Sequence, residues 1–141
     1  MKGRVLAVNS SDIRGIVKTN VKEGYLKKDW GLVGDAHAGV WDRQVSILPI
    51  EAMELIPPDK KETVDVEEYT ENITIQGIPL DTLSVGTRLR IGNAEVLIHH
   101  IGKEHPKDEG RPYIVSRQGR FGTVTRGGAV RVGDSVEVLE R

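Results

Sequence analysis

The sequence predicts a mostly β protein, a closed or partly open β-barrel with one or two short helices. Three observations predict it. Glycine is abundant (16 residues) and spread along the whole length, separating short β-branched runs as tight turns separate strands. Aromatic residues are scarce. Two segments share a lead-in, Val85-Gly86-Thr87 before Arg88–Ile91 and Val132-Gly133-Asp134 before Ser135–Leu139, each placing a turn glycine just ahead of alternating residues. At 141 residues with no linker or low-complexity stretch, the chain reads as one domain spanning residues 1–141.

In chain order the strand candidates are Arg4–Val8, Val45–Leu48, Asn72–Ile75, Arg88–Ile91, Glu95–Ile101, Tyr113–Val115, Gly122–Thr125 and Ser135–Leu139. One helix is signposted after Val45–Leu48. Pro49 suits its first position, Ile50 and Met53 share a face, Glu51 and Glu54 sit near its positive end, and Pro57-Pro58 stops it. Val64–Tyr69 is a weaker second helix.

Composition removes several function classes. The chain has no cysteine, which excludes disulfides, Cys-ligated zinc, iron–sulfur clusters and any thiol nucleophile or persulfide carrier within it. Its net charge of −1 argues against a dedicated nucleic-acid binder. No apolar run approaches the roughly 20 residues that span a bilayer, and the start is too alternating for a secretory signal, so a cytoplasmic protein without a membrane partner is expected.

The charge is uneven. Glu51 to Glu71 carries eight acids and two lysines, whereas Gly110 to Gly133 carries five arginines (Arg111, Arg117, Arg120, Arg126, Arg131) and neither lysine nor acid. The planar guanidinium grips phosphate or carboxylate through two parallel bonds, and Gly127-Gly128 offers bare backbone to an anion. One reading is a pocket for a phosphorylated or oxyanionic ligand. The other is a set of arginines scattered outward along solvated strands.

Residues 31–39 form the densest loop, three glycines framing Asp35 and His37 between Trp30 and Trp41. In an extended segment Asp35 and His37 face the same way, and a carboxylate beside an imidazole suits a general base or a metal ligand; a plain glycine-rich turn pinned by Asp35 is the alternative. Arg43 and Gln44 follow, adding a cation and an amide. His99 and His100 point to opposite faces of a regular strand, and with His105 they match no familiar metal spacing, so no metal site is expected. Glu71-Asn72 opens a strand, its amide free either to bond a ligand ring or to pin a turn.

In order, Gly34-Asp35-Ala36-His37-Ala38-Gly39, Arg43-Gln44-Val45-Ser46, Pro49-Ile50-Glu51-Ala52, Glu71-Asn72-Ile73-Thr74, Leu83–Gly92, Gly119–Gly122, Gly127-Gly128 and Val132-Gly133-Asp134 resemble a MOSC domain, the molybdenum-cofactor sulfurase C-terminal module, in its small stand-alone bacterial form. The resemblance spans nearly the whole chain. It implies a barrel like the pyruvate kinase barrel domain and a role in binding, delivering or sulfurating the molybdenum cofactor (molybdopterin), with a molybdoenzyme or cofactor-biosynthesis enzyme as partner. It also implies that Asp35, His37, Arg43, Gln44, Glu71, Asn72, Arg117 and Arg126 face the ligand cleft. Gly127 and Gly128 join that set as backbone contacts. The departure is the thiol that many family members carry after the strand matching Glu95–Ile101; here Gly102-Lys103-Glu104-His105-Pro106 follows. Sulfur transfer through a cysteine of this chain is therefore excluded. Three functions remain: a cofactor-binding module, a small-substrate enzyme using His37 oriented by Asp35, and a non-catalytic interaction module.

Overall fold

The computed structural model describes residues 2–11, 19–55, 57, 71–103 and 110–140. Among these residues lie eleven strands: β1 (Lys2–Ser10), β2 (Thr19–Asn20), β3 (Glu23–Lys27), β4 (Gly31–Leu32), β5 (Val45–Pro49), β6 (Ile73–Gln76), β7 (Arg88–Ile91), β8 (Ala94–Ile101), β9 (Arg120–Arg126), β10 (Gly128–Arg131) and β11 (Ser135–Glu140). The 3-10 helices η1 (Ile50–Leu55) and η2 (Leu80–Thr82) and the α-helix α1 (Gly110–Gln118) complete the set.

Seven strands close into a barrel in the order β1-β11-β7-β8-β9-β5-β6, with β6 returning to β1. Closure leaves no unpaired sheet edge in the barrel. All neighbours are antiparallel except β5 and β6, which run parallel with Ile47 opposite Ile73. A parallel pair needs a long crossover, and residues 50–72 supply it. Alternate residues turn inward, so Val45, Ile47, Ile75, Leu89, Val96 and Val124 meet in one apolar cluster. At Gly122 a Cβ would stand 2.0 Å from the Leu97 carbonyl oxygen; only glycine lets β9 approach β8 there.

The opposite face of β5 and β9 carries Leu48 and Phe121. They pack with Ala52 of η1 and with Ile114 and Val115 of α1 in a second apolar cluster. This outer layer matters for function, because it sets α1 beside the end of β8. A small sheet of β10, β3 and β4 packs elsewhere, and its Leu26, Leu32 and Val130 join the barrel cluster.

Seven of the eight expected strands are present. The exception is Tyr113–Val115, which lies inside α1. A three-residue apolar run fits either state, and Pro112 in the first helical turn, where the amide is not needed, decides for helix. Pro49 closes β5 rather than opening a helix, and the turns that follow are 3-10. Val64–Tyr69 lies outside the described residues. The short strands β2, β3, β4 and β10 were not foreseen.

Candidate functional site

Asp35 and His37 lie in the loop that joins β4 to β5. The Asp35 side chain is fully buried; its Oδ1 accepts the Ser11 amide at 3.1 Å and its Oδ2 accepts the His37 amide at 3.0 Å. Ala36 also donates to the Ser11 carbonyl at 2.8 Å, so the carboxylate folds the loop back on itself and ties it to the end of β1. His37 Nδ1 stands 3.7 Å from Oδ2, beyond hydrogen-bond reach. The two side chains are neighbours through the turn they build, and the trapped carboxylate orients backbone rather than imidazole.

The next three residues fasten the loop to β8 and β9. Asp42 Oδ2 lies 2.6 Å from His100 Nε2, and this hydrogen bond above all holds the Asp42 carboxyl below its ordinary range. Arg43 donates from Nη1 to the Gly102 carbonyl at 3.0 Å, and its guanidinium lies 4.7 Å from the centre of the Phe121 ring. Lys103 Nζ approaches the same ring at 6.0 Å. Gln44 is buried, and its Oε1 accepts the Val124 amide at 3.1 Å, continuing the β5–β9 ladder one step before β5 begins.

A β-bulge corrects the expectation for the two strand histidines. Between Ile98 and His100 the β8–β9 register slips by one residue, so Ile98 pairs with Gly122 and His100 with Phe121. The extra residue brings His99 and His100 to the same outer face, their ring centres 6.5 Å apart. His99 Nε2 lies 2.9 Å from Thr123 Oγ1. No group of three His, Cys, Asp or Glu among the described residues could hold a metal ion.

The described arginines of the basic segment scatter; the Arg111 side chain lies outside what the structure describes. Arg117 lies in the last turn of α1, which is held to the end of β8 by Gly102 donating to Gly119 at 2.8 Å and Lys103 donating to Ser116 at 2.6 Å. Arg120 is buried and spends its guanidinium on carbonyl oxygens: Leu83 at 2.9 Å, Leu80 at 3.0 Å and Gln118 at 2.5 Å. Burial pushes Arg120 below its ordinary range. Arg126 pairs with Glu95 at 3.4 Å and Arg131 with Glu23 at 2.9 Å, both arginines well exposed. Along β9, Arg126 is six residues from Arg120, roughly 20 Å in a strand. Gly127 and Gly128 pack against the backbone of Leu26 and Asn93, so their missing side chains serve strand packing.

Glu71 and Asn72 are buried in a polar network rather than open to a cleft. Asn72 Oδ1 accepts the Ser46 amide at 3.0 Å, its Nδ2 donates to the Asn9 carbonyl at 3.4 Å, and Glu71 Oε1 accepts the Thr74 hydroxyl at 2.9 Å. They lock β1, β5 and β6 where the parallel pair begins. An open groove of about 550 Å³ lies apart from all these residues, lined by Lys2, Gly3, Arg4, Glu51, Gln76 and Gly77.

Of the predicted residues, Arg43 and Arg117 therefore come to the same region. Asp42, His99, His100, Lys103 and Phe121 were missed as members. The signal that points to them is a pair of adjacent histidines at a strand end, just before a glycine (Gly102, φ 76°) that turns the chain toward α1.

Searches by sequence find neither a matching family model nor a matching curated protein. Solved structures do match. YuaD of Bacillus subtilis superposes with a TM-score of 0.71 at 19% identity, covering 100% of this chain and 97% of YuaD. YiiM of Escherichia coli gives 0.68 at 19% identity, with 100% of this chain and 71% of YiiM covered. YiiM of Geobacillus stearothermophilus gives 0.64 at 16% identity, covering 99% of this chain and 76% of that one. What is shared is the fold. The barrel expected from the sequence is the fold these structures share with this chain. No described helix is long and apolar enough to cross a membrane.

Proposed function

We propose that this protein is a MOSC-type module that binds the molybdenum cofactor, or a closely related phosphorylated or oxyanionic ligand, on the outer face of β8 and β9. The observation that carries this reading is the gathering of Arg43, Lys103 and the Arg117-bearing turn around Gly102, from three separate elements, on the barrel that the MOSC resemblance implies. The donor set suits one half of the cofactor and not the other. Guanidinium and ammonium groups match a phosphate or an oxyanion, while the chain has no thiolate to offer molybdenum or to carry sulfur. When bound, the cofactor would bring the molybdenum centre. Arg43, Lys103 and Arg117 would hold its anionic end, and Asp42 and His100 would border it. The module's role is then binding or delivery, with any sulfur supplied by a partner.

The test is an anaerobic binding titration with molybdopterin, together with elemental analysis for molybdenum and tungsten in protein purified from its native source. Saturable binding that weakens about ten- to a hundredfold in Arg43→Ala supports the reading, the size expected for losing one charge-assisted contact. Absence of binding, or wild-type affinity in an Arg43→Ala/Lys103→Ala double variant, rejects it.

One observation favours docking on a cofactor-pathway enzyme as an added role. Trp30, Val33, Val40 and Trp41 expose apolar surface within a single stretch, residues 30–41. A Trp41→Ser variant is then expected to keep cofactor affinity while losing delivery to an acceptor apo-molybdoenzyme. Unchanged delivery removes the docking role.

A further inference from the structure

The sequence singles out Asp35 and His37, but the close carboxylate–imidazole contact among the described residues is elsewhere. Asp42 Oδ2 to His100 Nε2 is 2.6 Å, against 3.7 Å for Asp35 and His37. The β8 bulge makes this contact possible by turning His100 outward beside Phe121. The imidazole is 37% exposed, and with Nε2 engaged by Asp42 its remaining ring nitrogen is Nδ1.

We propose that the outer-face site takes up a tetrahedral dianion, a free oxyanion or a phosphate monoester, together with one proton, and that His100, held by Asp42, carries that proton. This deepens the anion-site reading above and rests on it. The groups facing His100 set the charge balance. Asp42 bonds His100 directly and the His99 ring stands 6.5 Å away; Arg43 and Lys103 lie over the ring of Phe121, the residue paired with His100, and the adjoining last turn of α1 carries Arg117. With His100 neutral, the Asp42–His100 pair carries one negative charge beside the cations and opposes an incoming anion. With His100 protonated, the pair is neutral and the site gains one positive charge. An anion therefore binds the protonated form more tightly, and by linkage its binding draws a proton from solution.

The probe is sulfate, which remains a dianion across the range in which histidine titrates, about pH 5 to 8. Sulfate affinity of the full chain is expected to fall about tenfold as pH rises across that range. Calorimetry in two buffers of different ionisation enthalpy should show uptake of a fraction of a proton, up to one, per sulfate bound. His100→Gln keeps an N–H for Asp42 and should abolish both the pH dependence and the proton uptake, leaving the weaker high-pH affinity. If that variant does not fold, proton uptake by the wild-type protein carries the test. Binding that depends on Arg43 but is flat with pH and takes up no proton overturns the proton linkage and leaves the anion site standing. Failure to bind sulfate at any pH, or binding indifferent to Arg43→Ala, overturns the anion site itself. Methyl phosphate compared with sulfate at about pH 8, where both are dianions, identifies the source: tighter methyl phosphate binding assigns a phosphate ester, and tighter sulfate binding assigns a free oxyanion.

Discussion

Replacing Arg120 by Met separates a structural arginine from a ligand-binding one. The guanidinium bonds the carbonyls of Leu83, Leu80 and Gln118, joining η2 to the end of α1. The Leu80 carbonyl also accepts the Leu83 amide at 3.1 Å, so it keeps a partner in the variant. Leu83 is fully buried, and its orphaned carbonyl costs about 2 kcal/mol; the half-buried Gln118 can turn to water and costs about 1 kcal/mol. Relief of the buried cation's desolvation works in the other direction, but the carbonyls are backbone and remain whatever replaces the side chain. The two carbonyls cost about 3 kcal/mol together, relief of desolvation leaves a net loss of about 2 kcal/mol, and at about 2 kcal/mol per molar urea the urea midpoint falls by about 1 M. The assay is equilibrium urea unfolding followed by circular dichroism. A midpoint within about 0.3 M of wild type would refute the reasoning, because it would mean that those carbonyls find other partners.

Four further outcomes are expected. Asn72→Ala loses its bonds to Ser46 and Asn9 and should cost about 2–4 kcal/mol in thermal or urea unfolding, while the folded fraction binds sulfate as wild type does. Gly122→Ala should give no soluble folded protein on expression, because its Cβ would lie 2.0 Å from the Leu97 oxygen. Arg126→Ala, at an exposed pair with Glu95, should change stability by less than about 0.5 kcal/mol and leave sulfate binding unchanged. The Asp42 carboxyl is depressed by His100, so it contributes stability above its unfolded value, about 3.9, and loses that contribution as pH falls through its lower folded value. An acid titration of the melting temperature should show this loss in wild type and not in Asp42→Asn.

The barrel was legible because its long strands announce themselves twice, through alternation and through the turn glycines that lead into them. What escaped were strands too short to alternate: β4 has two residues, and β3 reads Glu-Gly-Tyr-Leu-Lys, with charge at both ends and a glycine inside. Their pairing comes from tertiary packing, with Leu26 and Leu32 drawn into the barrel cluster, and no local pattern reports that. Tyr113–Val115 failed for a related reason. Ile114 and Val115 are buried as an apolar strand run would be, but against the outside of the barrel, on a helix.

The candidate site was less legible because the residues that look chemical by pattern are used up by the fold. Asp35 holds a loop, Gln44 extends a ladder, Glu71 and Asn72 lock a parallel strand pair, and Arg120 ties two helical turns together. Each of them has a polar side chain where backbone groups at a strand or helix end would otherwise lack partners, so the demand for satisfied hydrogen bonds selects them whether or not a ligand exists. The side chains the proposal uses stand together at the end of β8 instead. Arg43 spends one contact on a carbonyl and lies over a ring, Lys103 approaches that same ring, and His100 shares an exposed bond with Asp42. That division puts the proposed anion-binding surface at the bulged end of β8, a location set by a one-residue slip in register that periodicity alone does not reveal.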